Sequence, residues 1–297
     1  MPFLIRFHWS PSINRSSPDA ARFVDLCRYA EMMGVESVHV PIAGDLSQAL
    51  ELALVAGAET KRVRFRIGWD LNGVLASLLG QELKNAWATL RGRLVIHMSF
   101  DSDDAVTNGH FARAGEFLAN CRRIFPESDS PEFDVEGETA EVAFLAIKHA
   151  DCLFRISSCP NQVYADALPV LHFGKQVGLL TSVIARETRQ EALKNAAMLL
   201  PSNAVEHLDD PTSWITPCLW TGVAAENVKT AALVGSFQEV AHALHGFTQN
   251  GISQFLIRAW QTAEEAADQE MLSFGTRVLP IIREIAAAAW PQGSGAL

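Results

Sequence analysis

Short apolar stretches alternate with helical patterns along the chain. The first stretch, FLIRFH at 3–8, predicts a strand. The helix after it is predicted to be capped by Ser17, which precedes a proline, and to end at Gly34. ESVHV at 36–40 is β-branched and predicts the next strand. Further strands are predicted at 63–67, 92–98, 132–135, 151–156 and 177–185, and further helices at 47–58, 74–88, 109–125, 139–149, 161–173 and 188–200.

In the last third of the chain, the alternation of strands and helices is interrupted and then resumes. Residues 201–232 contain several prolines and are predicted to be irregular. LVG at 233–235 is predicted to turn into a helix, and ISQFLI at 252–257 then predicts the eighth strand. A final helix is predicted over about 264–287.

Eight strands, each followed by a helix, are typical of a parallel sheet with helical crossovers. Within 297 residues they predict a (β/α)8 TIM barrel of the α/β class, as a single domain over 1–297. A doubly wound open sheet is the alternative, but its phosphate loop is rich in glycine, and residues 9–17 contain none. In a barrel, the functional residues lie at the carboxyl ends of the strands.

Composition narrows the class of protein. The chain is 48% hydrophobic, which is enough for a sizeable core, and its net charge of −10 with scattered basic residues argues against nucleic acid and anionic membranes as partners. The 5 cysteines show no CxxC spacing and are expected to be reduced thiols. Because no signal pattern or membrane-length apolar run is found, we expect a cytoplasmic protein.

Three stretches carry a resemblance to a known family. They are PCLWTGVAAENVKTAALVGSFQEVAHALHGFTQNGISQFLI at 217–257, ETKRVRFRIGW and NAWATLRGRLVIHM within 59–98, and GETAEVAFLAIKHADCLF at 137–154 with SVIARET at 182–188. In order and spacing they resemble the bacterial luciferase-like flavin monooxygenases, most closely the alkanesulfonate monooxygenase branch. That family has the barrel fold which the alternation of strands and helices also predicts.

The resemblance implies an activity and its partners. It implies oxygenation of a small organic substrate by O2 and reduced FMN, with the FMN reduced by a separate flavin reductase and the enzyme a homodimer. A deazaflavin is the alternative cofactor. A non-catalytic flavin-binding paralogue, or a partner subunit of such a monooxygenase, is the alternative function.

The chain departs from the alkanesulfonate branch at several positions. Leu180 and Ser182 stand where the branch has an Arg-x-His pair, and Ile156 stands where it has a tryptophan. The region around strand five is shortened to PESDSP at 126–131. These losses predict a substrate other than an alkanesulfonate, or no turnover.

Three residues at predicted strand ends are candidates for catalysis. His8 ends the first strand and can act as an acid or base near neutral pH. Arg155 and Arg258 can bind an anion. His97 is interpreted instead as a buried histidine with satisfied nitrogens, and the histidine spacings predict no metal site.

A second group is predicted to bind the cofactor. The resemblance places the FMN phosphate in the turn of Gly137, Glu138 and Thr139, where a helix N-terminus suits an anion although the carboxylate of Glu138 repels one. Ordinary helix capping is the alternative interpretation of this turn. The other candidates lie at strand ends, where aromatic and small polar side chains can line a flavin pocket: Trp9, Trp69, Met98, Ser99 and Trp260.

Overall fold

Eight parallel strands pair side by side until the last returns to the first. The structure is a computed structural model that describes residues 5–11, 19–40, 46–69, 76–100, 109–125, 129–156, 160–199, 208–221, 231–258 and 264–289. The barrel strands are β1 (Arg6–Ser10), β2 (Ser37–Val40), β3 (Arg64–Trp69), β4 (Leu94–Ser99), β5 (Glu132–Glu136), β6 (Cys152–Ile156), β7 (Gln176–Arg186) and β10 (Gln254–Arg258). β10 pairs with both β1 and β7, which closes the sheet and confirms the predicted TIM barrel.

Helices lie between the strands and cover the outside of the barrel. In the described residues they are α1 (Ala20–Met33), α2 (Leu46–Glu59), α3 (Ala76–Thr89), α4 (His110–Ile124), α5 (Ala140–His149), α6 (Pro160–His172), α7 (Arg189–Leu199), α8 (Phe237–Gln249), α9 (Glu264–Ser273) and α10 (Leu279–Ala289). None of these described helices combines the length and the apolar character needed to cross a membrane.

Helix ends differ in detail from the predictions. Asp19, rather than Ser17, caps α1, because its carboxylate accepts backbone N–H bonds from Ala21 and Arg22; Ser17 itself lies outside the described residues. The predicted final helix is interrupted by a π-turn at Phe274–Val278, between α9 and α10.

The prediction of a turn at 233–235 is wrong. Ala232–Ser236 forms a strand, β9, which pairs in parallel with the last five residues of β7 and antiparallel with the short β8 (Leu219–Trp220). β7 is 11 residues long, so its end extends past the barrel and offers an edge that β9 fills. Because this partner lies about fifty residues away in sequence, local turn signals could not reveal it.

Side chains alternate between two faces along each barrel strand. The outward face is apolar and packs on the helices: Phe7 stacks on Phe255 with ring centroids 5.3 Å apart and meets Phe274, from the π-turn, at 5.7 Å. The inward face fills the lumen and is rich in charge. On β5 the inward residues are three acids, Glu132, Asp134 and Glu136, separated by the buried Phe133 and Val135.

Candidate functional site

The lower end of the lumen is closed by ion pairs. Glu132 forms salt bridges with Arg6, at 3.2 Å, and with Arg64. It also accepts a hydrogen bond from Gln254, whose side-chain amide donates a second bond to Gln176 at 2.6 Å. Two cations around one carboxylate lower the pKa of Glu132, although burial opposes them.

A second pair lies in the middle of the lumen. Arg66 is fully buried and forms a salt bridge with the equally buried Asp134. Its guanidinium also donates to His97 Nδ1 at 3.2 Å and to the hydroxyl of Ser37 at 3.4 Å. Burial raises the pKa of Asp134 to about 7, against the opposing charge of Arg66.

An aromatic ring separates this paired region from the upper lumen. The Phe154 ring lies 4.8 Å from the guanidinium carbon of Arg66 and forms edge contacts with the rings of His8 and His97. Gly178 makes room for it, because a Cβ there would lie 2.5 Å from Phe154 Cε1. We call Phe154 the lumen plug.

Above the plug, at the carboxyl ends of the strands, Glu136 is the centre of a hydrogen-bond network. His97 Nε2 lies 2.9 Å from one carboxylate oxygen, and the Ser99 hydroxyl donates to the other at 3.2 Å. Arg258 forms a longer ion pair with Glu136, at 3.6 Å. Although burial disfavours its charge, the contacts with His97 and the charge of Arg258 lower the pKa of Glu136 to about 2.

The tautomer of His97 follows from its two partners. Arg66 can only donate, so His97 Nδ1 must accept, and the ring proton sits on Nε2 and is donated to Glu136. Burial, with a smaller contribution from Arg66, lowers the pKa of His97. Both nitrogens are therefore occupied in a neutral ring, which bears out the interpretation of His97 as a satisfied buried histidine.

The same end of the lumen holds polar groups that lack such partners. The His39 ring lies 5.8 Å from the His97 ring, and its buried Nδ1 has no hydrogen-bond partner among the described residues. Burial, followed by the charges of His97 and Arg66, holds the pKa of His39 well below its ordinary value, so the ring is neutral at pH 7. The hydroxyl of Ser182 is also buried without a partner. We call His39, Ser99, Glu136, Ser182 and Arg258 the mouth residues.

The structure places only some predicted residues at the mouth. Ser99 and Arg258 lie there, whereas His8 lies beside the plug, buried, with its Nδ1 bonded to Ser37 at 2.8 Å. Trp9 and Met98 are buried on the outward face of their strands, within the core that packs on the helices. Their neighbours in the sequence, rather than they themselves, face the lumen, because the side chains of a strand alternate.

The Gly137–Thr139 turn already has protein partners. Glu138 accepts the backbone N–H of Ile156 at 2.6 Å, and Thr139 caps α5 through the N–H of Val142. Arg155 is buried and donates to the carbonyl of Gly137 at 2.8 Å, which ties the turn to β6. These contacts agree with the capping interpretation, and the phosphate role of the turn stays a prediction.

Two predicted aromatic residues cannot be placed in the site. Trp69 ends β3, but its side chain lies outside the described part of the chain. Trp260 also lies outside the described residues. Their predicted contacts with a cofactor stay predictions.

Sequence reasoning missed His39 and Glu136 as mouth residues, whereas it placed Ser182 at the carboxyl end of its strand without giving it a role. A signal for Glu136 was present, because EFDVE at 132–136 alternates acids with apolar residues, which is typical of a strand with one polar face. His39 in SVHV gave a weaker form of the same signal.

A cavity of about 580 Å³ lies outside the barrel, between α4 and α5. Apolar side chains such as Phe111, Phe144 and Leu145 line it, together with Lys148 and His149. The barrel mouth is the stronger candidate site, because its buried polar groups lack partners and barrel enzymes act at this end. Within the described ranges, no group of three or more acidic, histidine or cysteine side chains is arranged to hold a metal ion.

The family of the chain is identified by comparison with known proteins, since the geometry of the mouth does not identify it. No family model matches the chain. A sulfoquinovose monooxygenase of Agrobacterium fabrum (strain C58) is 31% identical over 317 residues, covering 86% of this chain and 81% of that protein.

Solved structures share the fold at low sequence identity. A long-chain alkane monooxygenase, LadA, superposes with a TM-score of 0.72 at 12% identity, covering 96% of this chain and 92% of its own. Riboflavin lyase with modified FMN gives 0.67 at 12% identity, covering 99% and 94% of the two chains. A coenzyme F420-dependent tetrahydromethanopterin reductase from Methanopyrus kandleri gives 0.62 at 12% identity, covering 93% and 99%. With a 31% identical relative aligned over most of both sequences, the chain belongs to the luciferase-like flavin monooxygenase family.

Proposed function

We propose that this protein is the oxygenase component of a two-component system, which uses O2 and reduced FMN to oxygenate a small organic substrate other than an alkanesulfonate. A separate flavin reductase supplies the reduced FMN. When bound, reduced flavin provides the electrons for O2 activation, and the protein provides binding, orientation and exclusion of water. The observation that carries the proposal is the set of unpartnered polar groups at the barrel mouth.

The mouth residues suit this chemistry because a hydrogen-bonded network lies beside side chains that are available to a ligand. Glu136 is held by His97 and Ser99, and this fixes the floor of the mouth. Neutral His39 can form a hydrogen bond with a ligand, and Arg258 can orient an anionic or polar group. The plug below excludes water from the paired region of the lumen.

The fit of FMN is supported by polar atoms without partners. Ser182 Oγ and His39 Nδ1 are buried at the mouth and have no hydrogen-bond partner in the part of the chain that the structure describes, which is uncommon unless a ligand or water completes the site. Arg155 Nε, beside the Gly137 turn, is a third such atom. FMN is preferred to a deazaflavin because the sequence resemblance is to FMN-dependent enzymes, although solved structures with this fold include both kinds.

The loss of the Arg-x-His pair supports a substrate other than an alkanesulfonate. Leu180, at the first of these positions, is buried in an apolar cluster with Phe154 and Leu256 and offers no charge. Ser182 offers a hydroxyl at the second.

Anaerobic titration with FMN and reduced FMN tests the proposal, with flavin and tryptophan fluorescence as the readouts. We expect reduced FMN to bind with a dissociation constant in the micromolar range. Ser99→Trp is expected to abolish binding, because the added indole would fill the mouth where the exposed serine lies. No binding of either form at high micromolar concentration would contradict the proposal.

A matched tryptophan separates the mouth from the outer cavity. Ala112→Trp places the same indole in the cavity between α4 and α5 and is expected to leave flavin binding unchanged. If Ala112→Trp abolishes binding and Ser99→Trp does not, the flavin site is the outer cavity and the proposal is wrong.

A non-catalytic flavin-binding paralogue is the alternative. The occupied Gly137 turn and the short segment before β5 favour it, since neither resembles the catalytic branch. Mixing the complex of reduced FMN with O2 separates the two. Reoxidation at the rate of free reduced FMN supports the alternative, and a clearly changed rate supports the oxygenase.

A further inference from the structure

Three strands bring a cation and two hydroxyls into one row at the mouth. Arg258 on β10 is in register with Ser10 on β1 and with Ser182 on β7. All three side chains face the lumen, because each lies an even number of positions from a lumen-facing residue on its own strand. These residues are His8 on β1, Gly178 on β7 and the lumen-lining Leu256 on β10. Adjacent strands are about 4.8 Å apart, so the guanidinium has a hydroxyl on either side of its own strand.

The donors of this row are in large part unused. Arg258 carries five N–H donors, and its one ion pair among the described residues is the 3.6 Å contact with Glu136, which exceeds hydrogen-bond length. Its charge also acts on the rings of His39 and His97. Ser182 is 0% exposed, and its hydroxyl has no hydrogen-bond partner among the described residues. The hydrogen bonds that hold Glu136 come from His97 and Ser99, one to each of its oxygens, and Arg258 contributes its charge without a hydrogen bond.

We infer that Ser10, Arg258 and Ser182 form an oxoanion subsite, which takes the acidic group of a small organic acid as substrate. A guanidinium between hydroxyls offers several donors to the oxygens of a carboxylate or similar group. The inference deepens the proposed oxygenase function and rests on it, since it names the substrate class of the same mouth.

The charges around the subsite permit an anion. Arg258 balances Glu136, so an incoming acid adds one negative charge to the mouth. Burial and nearby positive charge hold the pKa of His39 well below its ordinary value, so its neutral ring adds no charge to the mouth. The subsite thus binds the acidic group directly through Arg258.

The phosphate of FMN is the other source of an oxoanion, and the experiment has two arms that distinguish the sources. One arm compares octanoate with 1-octanol by calorimetry on the full chain, with and without FMN. The other compares FMN with riboflavin, which lacks the phosphate, by fluorescence titration. Both arms use wild type, Arg258→Gln, Arg258→Lys and Ser182→Ala.

We expect wild type to bind octanoate at least about tenfold more tightly than octanol, and Arg258→Gln to remove that preference. Arg258→Lys should retain part of it, because it keeps the charge but loses the planar fork. Ser182→Ala should weaken octanoate binding by about threefold to tenfold, the effect of one hydrogen bond. Arg62→Gln removes the same charge from an exposed residue at the opposite end of the barrel and should have no effect.

The inference is overturned if octanoate and octanol bind alike in wild type, or if Arg258→Gln leaves the preference intact. It is also overturned if Arg258→Gln weakens FMN but not riboflavin and leaves octanoate unchanged, because the oxoanion is then the cofactor phosphate. Failure of flavin to bind would sink the proposed function instead. The titration of octanoate without FMN would then still decide the subsite.

Discussion

The part of the lumen below the plug, which we call the lower lumen, contains the same kinds of residue as the mouth. The two regions differ in how many of their charged side chains are paired. Arg66 and Asp134, below the plug, are fully buried and bonded to each other. Arg258, at the mouth, is part-exposed and has only a distant contact with Glu136. A buried charge must be paired to be tolerated, whereas an exposed one can remain available to a ligand. Pairing, rather than residue type, therefore separates structural from functional charge in this barrel.

The largest loss of stability is expected when one member of the buried Arg66–Asp134 pair is removed. Asp134→Ala leaves Arg66 without its counter-charge and is expected to lower the free energy of unfolding by about 3–5 kcal/mol in urea denaturation. Asp25→Ala removes an exposed partner of Arg28 and should change the free energy of unfolding far less, because solvent screens this pair.

The double variant with Arg66→Met and Asp134→Leu tests the reason for this loss. It replaces the pair with apolar groups and should recover most of the stability lost in Asp134→Ala. If the double variant is less stable than Asp134→Ala, pairing is not what the lower lumen requires.

The next prediction concerns pH. The pKa of Glu136 is about 2 in the fold against an ordinary value of 4.5, so its stabilising contribution is complete above pH 4.5 and is lost as the pH falls towards 2. Between pH 7 and pH 3, about 2 kcal/mol of the unfolding free energy should be lost in wild type but not in Glu136→Gln. Urea denaturation at several pH values measures this difference.

A surface carboxylate provides the control for the pH prediction. Glu51→Gln, on the exposed side of α2, should follow the pH profile of wild type. Equal profiles for wild type and Glu136→Gln would show that the mouth network does not stabilise the ionised carboxylate.

The plug that divides the two regions gives a smaller effect. Gly178→Ala places a Cβ 2.5 Å from Phe154 Cε1 and is expected to cost about 1–2 kcal/mol by overpacking. Gly246→Ala is the matched control, because its Cβ meets nothing within 4 Å and alanine favours the helix, which should stabilise α8 slightly. If Gly178→Ala unfolds at the urea concentration of wild type, the plug is not tightly packed.

The smallest effect is expected at the mouth. Arg258→Gln should change the free energy of unfolding by less than about 0.5 kcal/mol, because its ion pair is long and part-exposed. If the free energy of unfolding falls by more than about 2 kcal/mol in urea denaturation, Arg258 is a structural charge like Arg66. The difference between the lower lumen and the mouth would then not hold.

The sequence predicted the barrel because alternation is a local signal. Each apolar strand and each helical pattern can be found within some ten residues, and the observed bounds differ by a few residues at most. β9 was missed for the opposite reason, since Ala232–Ser236 becomes a strand only beside the extended end of β7. The candidate site was predicted in part: Ser99 and Arg258 lie at the mouth, while His8, Trp9 and Met98 do not.

The order of the elements, the family and the available residue types follow from the sequence alone. Which of these residues face the lumen depends on the folded barrel, because a shift of one residue along a strand moves a side chain to the opposite face. The folded barrel also decides which charges are paired. Arg66 and Asp134 are 68 positions apart, and only closure of the barrel brings them together. The same closure aligns Ser10, Ser182 and Arg258, three residues from distant parts of the chain, in one row at the mouth.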